Sequence, residues 1–429
     1  MNRREFSYGL VTACSLPFSA YPDALRHAKA KTLLELQQDF IDLRFGMFIH
    51  LNMATYEQRE WGDPKASPKL FNPTDLQTDQ WAQAAHSAKM KYGCLTTKHH
   101  DGFCLWPTAY SSYNISNSPF KRDIVGELNK ACKKYGIAFC IYFTVLDWHD
   151  ADYPVHNPYD SSKNVTGNMT AFVTRMKNEL KELITAYHPF MLWFDGYWEK
   201  PWTAAYGKEI YTYIKSINPN VIINNRLGKE PNNLHNDQNV GDYLTPEQQI
   251  GKLDMTQPWE SCITIANQWA WKPNDSMKSL KECIQTLVKT ASGNGNLLLN
   301  TGPMMDGRME ARQVKLLKEM GNWLQQYGES IYGTKGGPYP PGNTYGTTRK
   351  GNKIYLQVFN KKDNAIILPA LPGIKIIKAY LLNSNKEVKF STDETAIHID
   401  LPAVMPDANC TVIVLQLDKN AEDLAVVQP

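Results

Sequence analysis

Five short apolar runs in this 429-residue chain each end in a polar or ionisable cluster. Phe45-Gly-Met-Phe-Ile-His50 ends on an imidazole, and Tyr92-Gly-Cys-Leu-Thr-Thr-Lys98 opens into Lys98-His-His-Asp-Gly102. Gly136–Phe143 runs toward Asp147-Trp-His149, Phe190–Phe194 into Asp195-Gly196, and the run from Val221 into Asn225-Arg226. Carboxylates in such places can attack an electrophile or exchange protons, while imidazoles and a guanidinium can read hydroxyl groups. One such ending is as readily a helix cap or an ion pair. Five converge on one pocket if the strands are parallel, because the carboxyl ends of parallel barrel strands share a face. Asp195 leads, since it follows its strand directly and Gly196 lets substrate or backbone approach closely; read alone, it could equally cap the next helix. Four carboxylates could partner it: Glu247 in Thr245-Pro-Glu-Gln248, Glu260 in Trp259-Glu260, and Glu199 and Glu60 in tryptophan-rich loops.

The pattern between these groups says what must position them. Helical spacing links Ile124, Leu128, Ala131 and Tyr135, and again Phe172, Met176, Leu180, Leu183 and Tyr187. Continuous apolar strands separated by helices imply a parallel sheet covered by helices. The expectation is an α/β chain with a (β/α)8-like, TIM-type barrel over residues 32–335, irregular at its weakly marked fifth and sixth units. Gly336-Gly-Pro-Tyr-Pro-Pro-Gly342 reads as a linker. Beyond it, Lys353–Phe359, Gly373–Ile377, Ala396–Leu401 and Thr411–Leu417 alternate with period two, which predicts an antiparallel β-sandwich over residues 340–420.

Taken in order, Phe45–His50, Thr97-Lys-His-His-Asp-Gly-Phe103, Leu192-Trp-Phe-Asp-Gly196, Thr245-Pro-Glu247, Trp259-Glu260-Ser-Cys262 and Asn294–Asn300 resemble the successive signatures of family 29 glycoside hydrolases, the α-L-fucosidases. The resemblance covers about residues 32 to 335 and implies a retaining exo-acting enzyme that removes terminal α-linked L-fucose from oligosaccharides or glycoconjugates by double displacement. It implies Asp195 as nucleophile and Glu247 as acid/base, with Glu260 next in line. It further implies a binding shell of His50, Glu60, Trp61, His99, His100, Tyr142, Trp193, Arg226 and Trp269. Trp193 precedes Asp195 by two residues, so strand alternation turns both to one side. Adjacent histidines in an extended chain point to opposite sides, so one of His99 and His100 could be structural. Leu51-Asn52 follows His50 where many members carry Trp-Gly, which bears on the leaving-group side of the pocket. The Thr245-Pro-Glu-Gln248 wording resembles the branch acting on α-1,3/1,4-linked fucose. A retaining barrel enzyme for another sugar, or a non-catalytic carbohydrate-binding barrel, is the competing reading.

Composition narrows the class. Basic and acidic side chains nearly balance, 46 against 43, which argues against a nucleic-acid track. The 11 Trp and 22 Tyr suit a cleft for the apolar faces of sugars. His99-His100-Asp101 invites a metal, but adjacent histidines are poorly spaced for one ion and no HxH or HExxH pattern occurs. No GxGxxG follows a strand and no Walker loop is present, so neither metal nor cofactor is expected. The eight cysteines show no CxxC spacing, which predicts no zinc cluster and no dense disulfide framework. Met1-Asn-Arg-Arg-Glu-Phe followed by Gly9–Ala20 reads as an export signal over residues 1–22, either twin-arginine-like or a lipoprotein signal acylated at Cys14. The expected location is periplasm or cell surface, with no transmembrane span.

Overall fold

The structure is a computed structural model and describes residues 29–155, 166–230, 234 and 239–427. The export-signal and Cys14 expectations lie outside the described residues. Among the described residues, no helix is long and apolar enough to cross a membrane.

The apolar runs form parallel strands: β1 (Phe45–Ile49), β2 (Tyr92–Lys98), β3 (Ala138–Thr144), β4 (Met191–Asp195), β5 (Ile222–Ile223), β6 (Glu260–Thr264) and β7 (Asn296–Thr301). They build a 7-stranded sheet in the order β5-β4-β3-β2-β1-β7-β6. Helix α1 (Leu33–Leu43) precedes β1, and α2 (Met53–Glu57) and α3 (Thr78–Ser87) separate β1 from β2. Then α4 (Ile124–Tyr135), α5 (Met169–Tyr187) and α6 (Ala204–Ile217) alternate with β2 to β5, while α7 (Leu280–Ser292) and α8 (Ala311–Tyr327) flank β7. The two segments with helical spacing are thus α4 and α5. An Asp123 carboxylate capping Gly126 N–H starts α4, and an Asn168 carboxamide starts α5.

The irregularity falls where the sequence is least apolar. β5 has only two residues, and β6 carries Glu260, Ser261 and Thr264. An extended segment over residues 242–248 fills the gap between them. Asp242 N–H donates to Ile223 O and Asn225 N–H to Tyr243 O on one side; Glu260 N–H donates to Leu244 O and Gln248 N–H to Cys262 O on the other. This segment serves as the eighth stave.

Alternate residues of each strand sort into two cores, as a curled sheet requires. Met47, Leu95, Ile141 and Leu192 join the large cluster beneath the helices. Phe48, Tyr92, Cys94, Cys140, Tyr142, Met191, Trp193, Cys262 and Leu298 form a separate inner cluster. Gly46 belongs to the inner parity, and a Cβ there would lie 2.4 Å from the Tyr92 ring, so the ring occupies space that any larger residue would need. All seven described cysteines are free and buried.

After α8 the chain turns antiparallel. β8 (Lys335–Gly336), β9 (Tyr345–Lys350), β10 (Lys353–Val358), β12 (Ile376–Leu381) and β15 (Thr411–Leu417) make a 5-stranded sheet, and β11 (Ala365–Pro369), β13 (Phe390–Thr392) and β14 (Ala396–Asp400) a 3-stranded one. Their facing side chains, among them Leu356, Leu368, Ile399 and Leu415, enclose a second core. The stretch expected as a linker is packed: Gly336 of β8 pairs with Thr348 of β9, and Tyr339 is buried with its hydroxyl donating to Pro369 O at 2.7 Å. The sandwich meets the barrel through Trp323, whose indole N–H donates to Cys410 O at 3.2 Å, and through Gln285, which reaches Phe359 O and Asn409 O.

Candidate active site

The carboxyl ends of the inner-parity strands open into a cavity of about 250 Å³, lined by Phe48, His50, Glu60, Trp61, His99, His100, Tyr142, Trp193, Asp195, Trp198, Arg226, Glu247, Cys262 and Trp269. Not every strand-end cluster reaches it. Lys98 turns away to lie buried between Asp147 (2.8 Å) and Glu179 on α5 (2.9 Å). Its charge is retained because these two carboxylates outweigh the cost of burial and hold its pKa well above the ordinary lysine value. Asp101 turns inward on its own loop and accepts Phe103 N–H at 2.9 Å, and His149 lies against Tyr113 with its Nδ1 at 2.7 Å from Pro64 O. β2 ends at Lys98, and His99 and His100 enter the turn that follows, where Gly102 N–H donates to His99 O at 2.9 Å, so strand alternation no longer governs them and both line the cavity.

Asp195 is the last residue of β4 and no helix cap, since α6 starts nine residues later under a Thr203 cap. Gly196 after it has φ +97° and would place a Cβ 2.7 Å from Leu146 Cγ, so both backbone and space demand glycine there. Arg226 Nη1 donates to Asp195 Oδ1 at 2.9 Å and lies 2.7 Å from Glu247 Oε2. Because both oxygens touch one nitrogen, they are at most about 5.6 Å apart. Retaining glycosidases hold their two carboxyls about 5–5.5 Å apart, whereas inverting ones leave about 6.5–9.5 Å.

Arg226 is fixed from several sides. Its Nε donates to Thr245 Oγ1 at 3.0 Å, its Nη2 to Thr245 O at 3.1 Å, and its guanidinium lies 4.6 Å from the Trp193 ring centre. Burial opposes its charge, yet Asp195 and Glu247 more than compensate, and its pKa stands well above the usual value. Tyr142, stacked on Trp193, donates its hydroxyl toward Asp195 Oδ2 at 3.4 Å.

The histidines are neutral. Burial, then the Arg226 charge, lowers His100 to about 3, and burial lowers His50 to about 3 and His99 well below its ordinary value. Thr144 spends its one hydroxyl proton on Leu146 O (2.7 Å), so it accepts from His100 Nδ1–H at 2.8 Å. That leaves the lone pair of His100 Nε2 facing the cavity, 3.7 Å from Asp195 Oδ2. Such a nitrogen accepts a hydrogen bond from a hydroxyl. Trp269 lies 5.4 Å from His50 at a 33° tilt and gives the cavity a flat apolar wall. Burial raises the pKa of Glu60, which receives a backbone hydrogen bond from Trp269.

Glu247 and Glu260 occupy different layers. Glu247 is 41% exposed beside Arg226, whereas Glu260 is fully buried beneath the cavity and does not line it. Glu260 accepts from Trp193 Nε1–H (2.9 Å) and from the Tyr92 hydroxyl (2.5 Å), and burial pushes its pKa up to about 7. Glu199 is held by Trp148 Nε1–H at 3.2 Å, away from the cavity lining. Three lining residues were missed by sequence reasoning. Phe48 and Cys262 share the inner parity of residues two positions away, a readable signal; Trp198 lies three residues past Asp195, where loop geometry hides its direction.

Fold and cavity together are those of a glycoside hydrolase, with a neutral hydroxyl-reading shell over two carboxylates on one guanidinium. Residues 52–329 match the family model described as Alpha-L-fucosidase, and the chain belongs to that family. Human tissue alpha-L-fucosidase is 30% identical over 362 residues, covering 80% of this chain and 74% of the relative. Alpha-L-fucosidase isoenzyme 1 from Paenibacillus thiaminolyticus superposes with a TM-score of 0.78 at 31% identity, covering 90% of this chain and 100% of that one. A family 29 alpha-L-fucosidase from Bacteroides thetaiotaomicron, a trapped covalent intermediate in complex with 2-fluoro-fucosyl fluoride, superposes with a TM-score of 0.80 at 29% identity over 90% of this chain and 96% of its own.

Proposed function

We propose that this α-L-fucosidase releases terminal α-linked L-fucose with retention, Asp195 acting as nucleophile and Glu247 as acid/base. The carrying observation is the shared Arg226 nitrogen, which brings one oxygen of each carboxylate to at most about 5.6 Å from the other, compatible with the close spacing of a retaining pair. Asp195 attacks the anomeric carbon while protonated Glu247 gives its proton to the departing glycosidic oxygen; the ionised Glu247 then takes a proton from water that cleaves the fucosyl ester. Arg226 holds the Asp195 carboxylate in place through the hydrogen bond to its Oδ1. Glu247 is the more exposed of the pair, which suits a group that must meet both a leaving sugar and incoming water. His50, His99 and His100 read ring hydroxyls as neutral acceptors or donors, and Trp269 covers the apolar face and methyl group of fucose.

We infer a preference for α-1,3/1,4-linked fucose in branched glycans from Thr245-Pro-Glu-Gln248 and from the cavity mouth. Trp61 and Trp198 are 40% and 49% exposed there, with Trp198 edge-on to His100 at 5.4 Å, and they offer flat surfaces for more than a bare fucose. NMR-monitored cleavage of Lewis-type, 2'-fucosyl and aryl fucosides, with an α-galactoside control, tests this reading. Faster release from Lewis-type glycans with initial formation of α-fucose supports it. Equal rates on all fucosides refute the linkage preference, initial β-fucose refutes retention, and preference for the galactoside refutes the sugar assignment.

A further inference from the structure

We propose that Glu260 is a positioning residue, setting from beneath the cavity the indole plane against which Arg226 and Tyr142, and through them Asp195, are held. This rests on the reading of Asp195 as nucleophile.

The contacts run in one unbroken series. Gly46 leaves room for the Tyr92 ring, and the Tyr92 hydroxyl donates to Glu260 Oε2. Glu260 Oε1 accepts the Trp193 indole N–H at 2.9 Å. The face of Trp193 then carries the Arg226 guanidinium at 4.6 Å and the Tyr142 ring at 5.6 Å with a 20° tilt. Both of those groups reach Asp195, Arg226 at 2.9 Å and Tyr142 at 3.4 Å. Glu260 itself is fully buried and touches none of the cavity. Its carboxylate has one donor on each oxygen, which fixes its own rotation and hence the direction from which Trp193 is held.

A carboxylate in a barrel interior is costly to bury, and an apolar residue of similar size would pack the same space without it. Such a residue would strand two donors, the Tyr92 hydroxyl and the indole N–H; the hydroxyl also lies 3.5 Å from Leu297 O, to which it can turn. Leaving the indole N–H buried and unpaired tilts the ring toward some other acceptor, and the guanidinium on its face must follow. Small misplacements at a reacting centre cost rate far more than binding. The loss should therefore fall on kcat rather than KM.

The test is a double-mutant cycle between Glu260 and Trp193, read on the folded enzyme with an aryl fucoside and a fucosylated trisaccharide. Glu260→Gln keeps an oxygen for the indole and an NH2 for the Tyr92 oxygen, so it should retain kcat within about threefold. Glu260→Leu should lower kcat on the order of tenfold to a hundredfold with KM within about twofold. In a Trp193→Phe background, which has no indole N–H to satisfy, the same Glu260→Leu change should cost less than about threefold further. An equal loss in both backgrounds, or a folded Glu260→Leu enzyme with unchanged kcat, overturns the proposal. If Glu260→Leu fails to fold, the isosteric Glu260→Gln still decides: in 15N-tryptophan spectra it should move most the indole N–H resonance that Trp193→Phe deletes. A different resonance moving most, or none, overturns it equally. Asp195→Ala is measured alongside; full turnover there would sink the nucleophile reading while leaving the indole shift readable on its own.

Discussion

Replacing Arg226 with methionine removes a cation that touches both carboxylates while keeping most of its volume. The two ion pairs are not equivalent. The Asp195 side chain is 14% exposed and Arg226 itself 5%, so that pair is sheltered; Glu247 is 41% exposed, and its pair is screened. Breaking a buried pair from one side costs about 3–5 kcal/mol, whereas an exposed pair contributes about 0–1 kcal/mol. The loss therefore falls mainly on the hold over the deeper carboxylate. For a folded Arg226→Met enzyme, kcat/KM on an aryl fucoside should fall on the order of a hundredfold. Arg226→Lys, which returns a point charge without the fork, should recover part of that loss but not all of it. Thermal melts separate unfolding from loss of the site. If folded Arg226→Met kept kcat/KM within about threefold of the natural protein, the guanidinium would be a structural strut, and the electrostatic account would fail.

Three further outcomes follow from the same geometry. Glu247→Ala should reduce cleavage of unactivated glycans by roughly 10²–10⁴-fold, with azide rescuing turnover of an activated fucoside as fucosyl azide; full glycan activity in this variant would remove Glu247 from its role. Gly46→Ala drives a methyl group toward the Tyr92 ring, 2.4 Å from its nearest atom, and should cost about 1–3 kcal/mol in urea unfolding; an unchanged midpoint would contradict the close packing of the inner layer. Glu260→Gln should change the pH dependence of stability. A carboxyl raised from 4.5 to about 7 in the fold contributes stability below its unfolded value and loses it as pH rises through about 7. Relative to the natural protein, the variant should therefore gain about 3 kcal/mol between pH 4.5 and 8. A stability difference constant over that window would show that Glu260 does not titrate with folding.

The parts of the fold that were legible are those whose strands are buried on both faces. β1 to β4 and β7 are continuous apolar runs, and parallel burial leaves no other pattern available. β6 escaped recognition because its five residues, Glu260-Ser-Cys-Ile-Thr264, include one large aliphatic side chain, Ile263, and so show no apolar run. The 242–248 stave has no periodicity, since Asp242 and Glu247 are spent on ion pairs with Lys215 and Arg226. β12 lies at Ile376–Leu381, not at Gly373–Ile377; β11 and β13 are unmarked because short edge strands alternate weakly, and β9, Tyr345-Gly-Thr-Thr-Arg-Lys350, because it holds no aliphatic side chain. At the site, residue types at strand ends pointed to the cavity, and the resemblance ranked Glu247 ahead of Glu260, but their different depths were not legible. Thirteen positions apart in sequence, they lie one layer apart in the barrel, and nothing in Trp259-Glu260 reveals that its carboxylate is consumed by Tyr92 and Trp193. That β2 stops at Lys98, so that His99 and His100 sit in a turn and both face the cavity, is likewise invisible in a single sequence.

The most direct measurement is covalent capture. Incubating the protein with 2-fluoro-fucosyl fluoride, followed by intact-mass and peptide mass spectrometry, should show one fluorofucosyl adduct on the peptide carrying Leu192-Trp-Phe-Asp-Gly196, localised to Asp195, and none in Asp195→Ala. An adduct on Glu247, Glu260 or any other residue, or slow turnover of the reagent by a demonstrably active enzyme with no adduct at all, would contradict the assignment of Asp195 as the nucleophile.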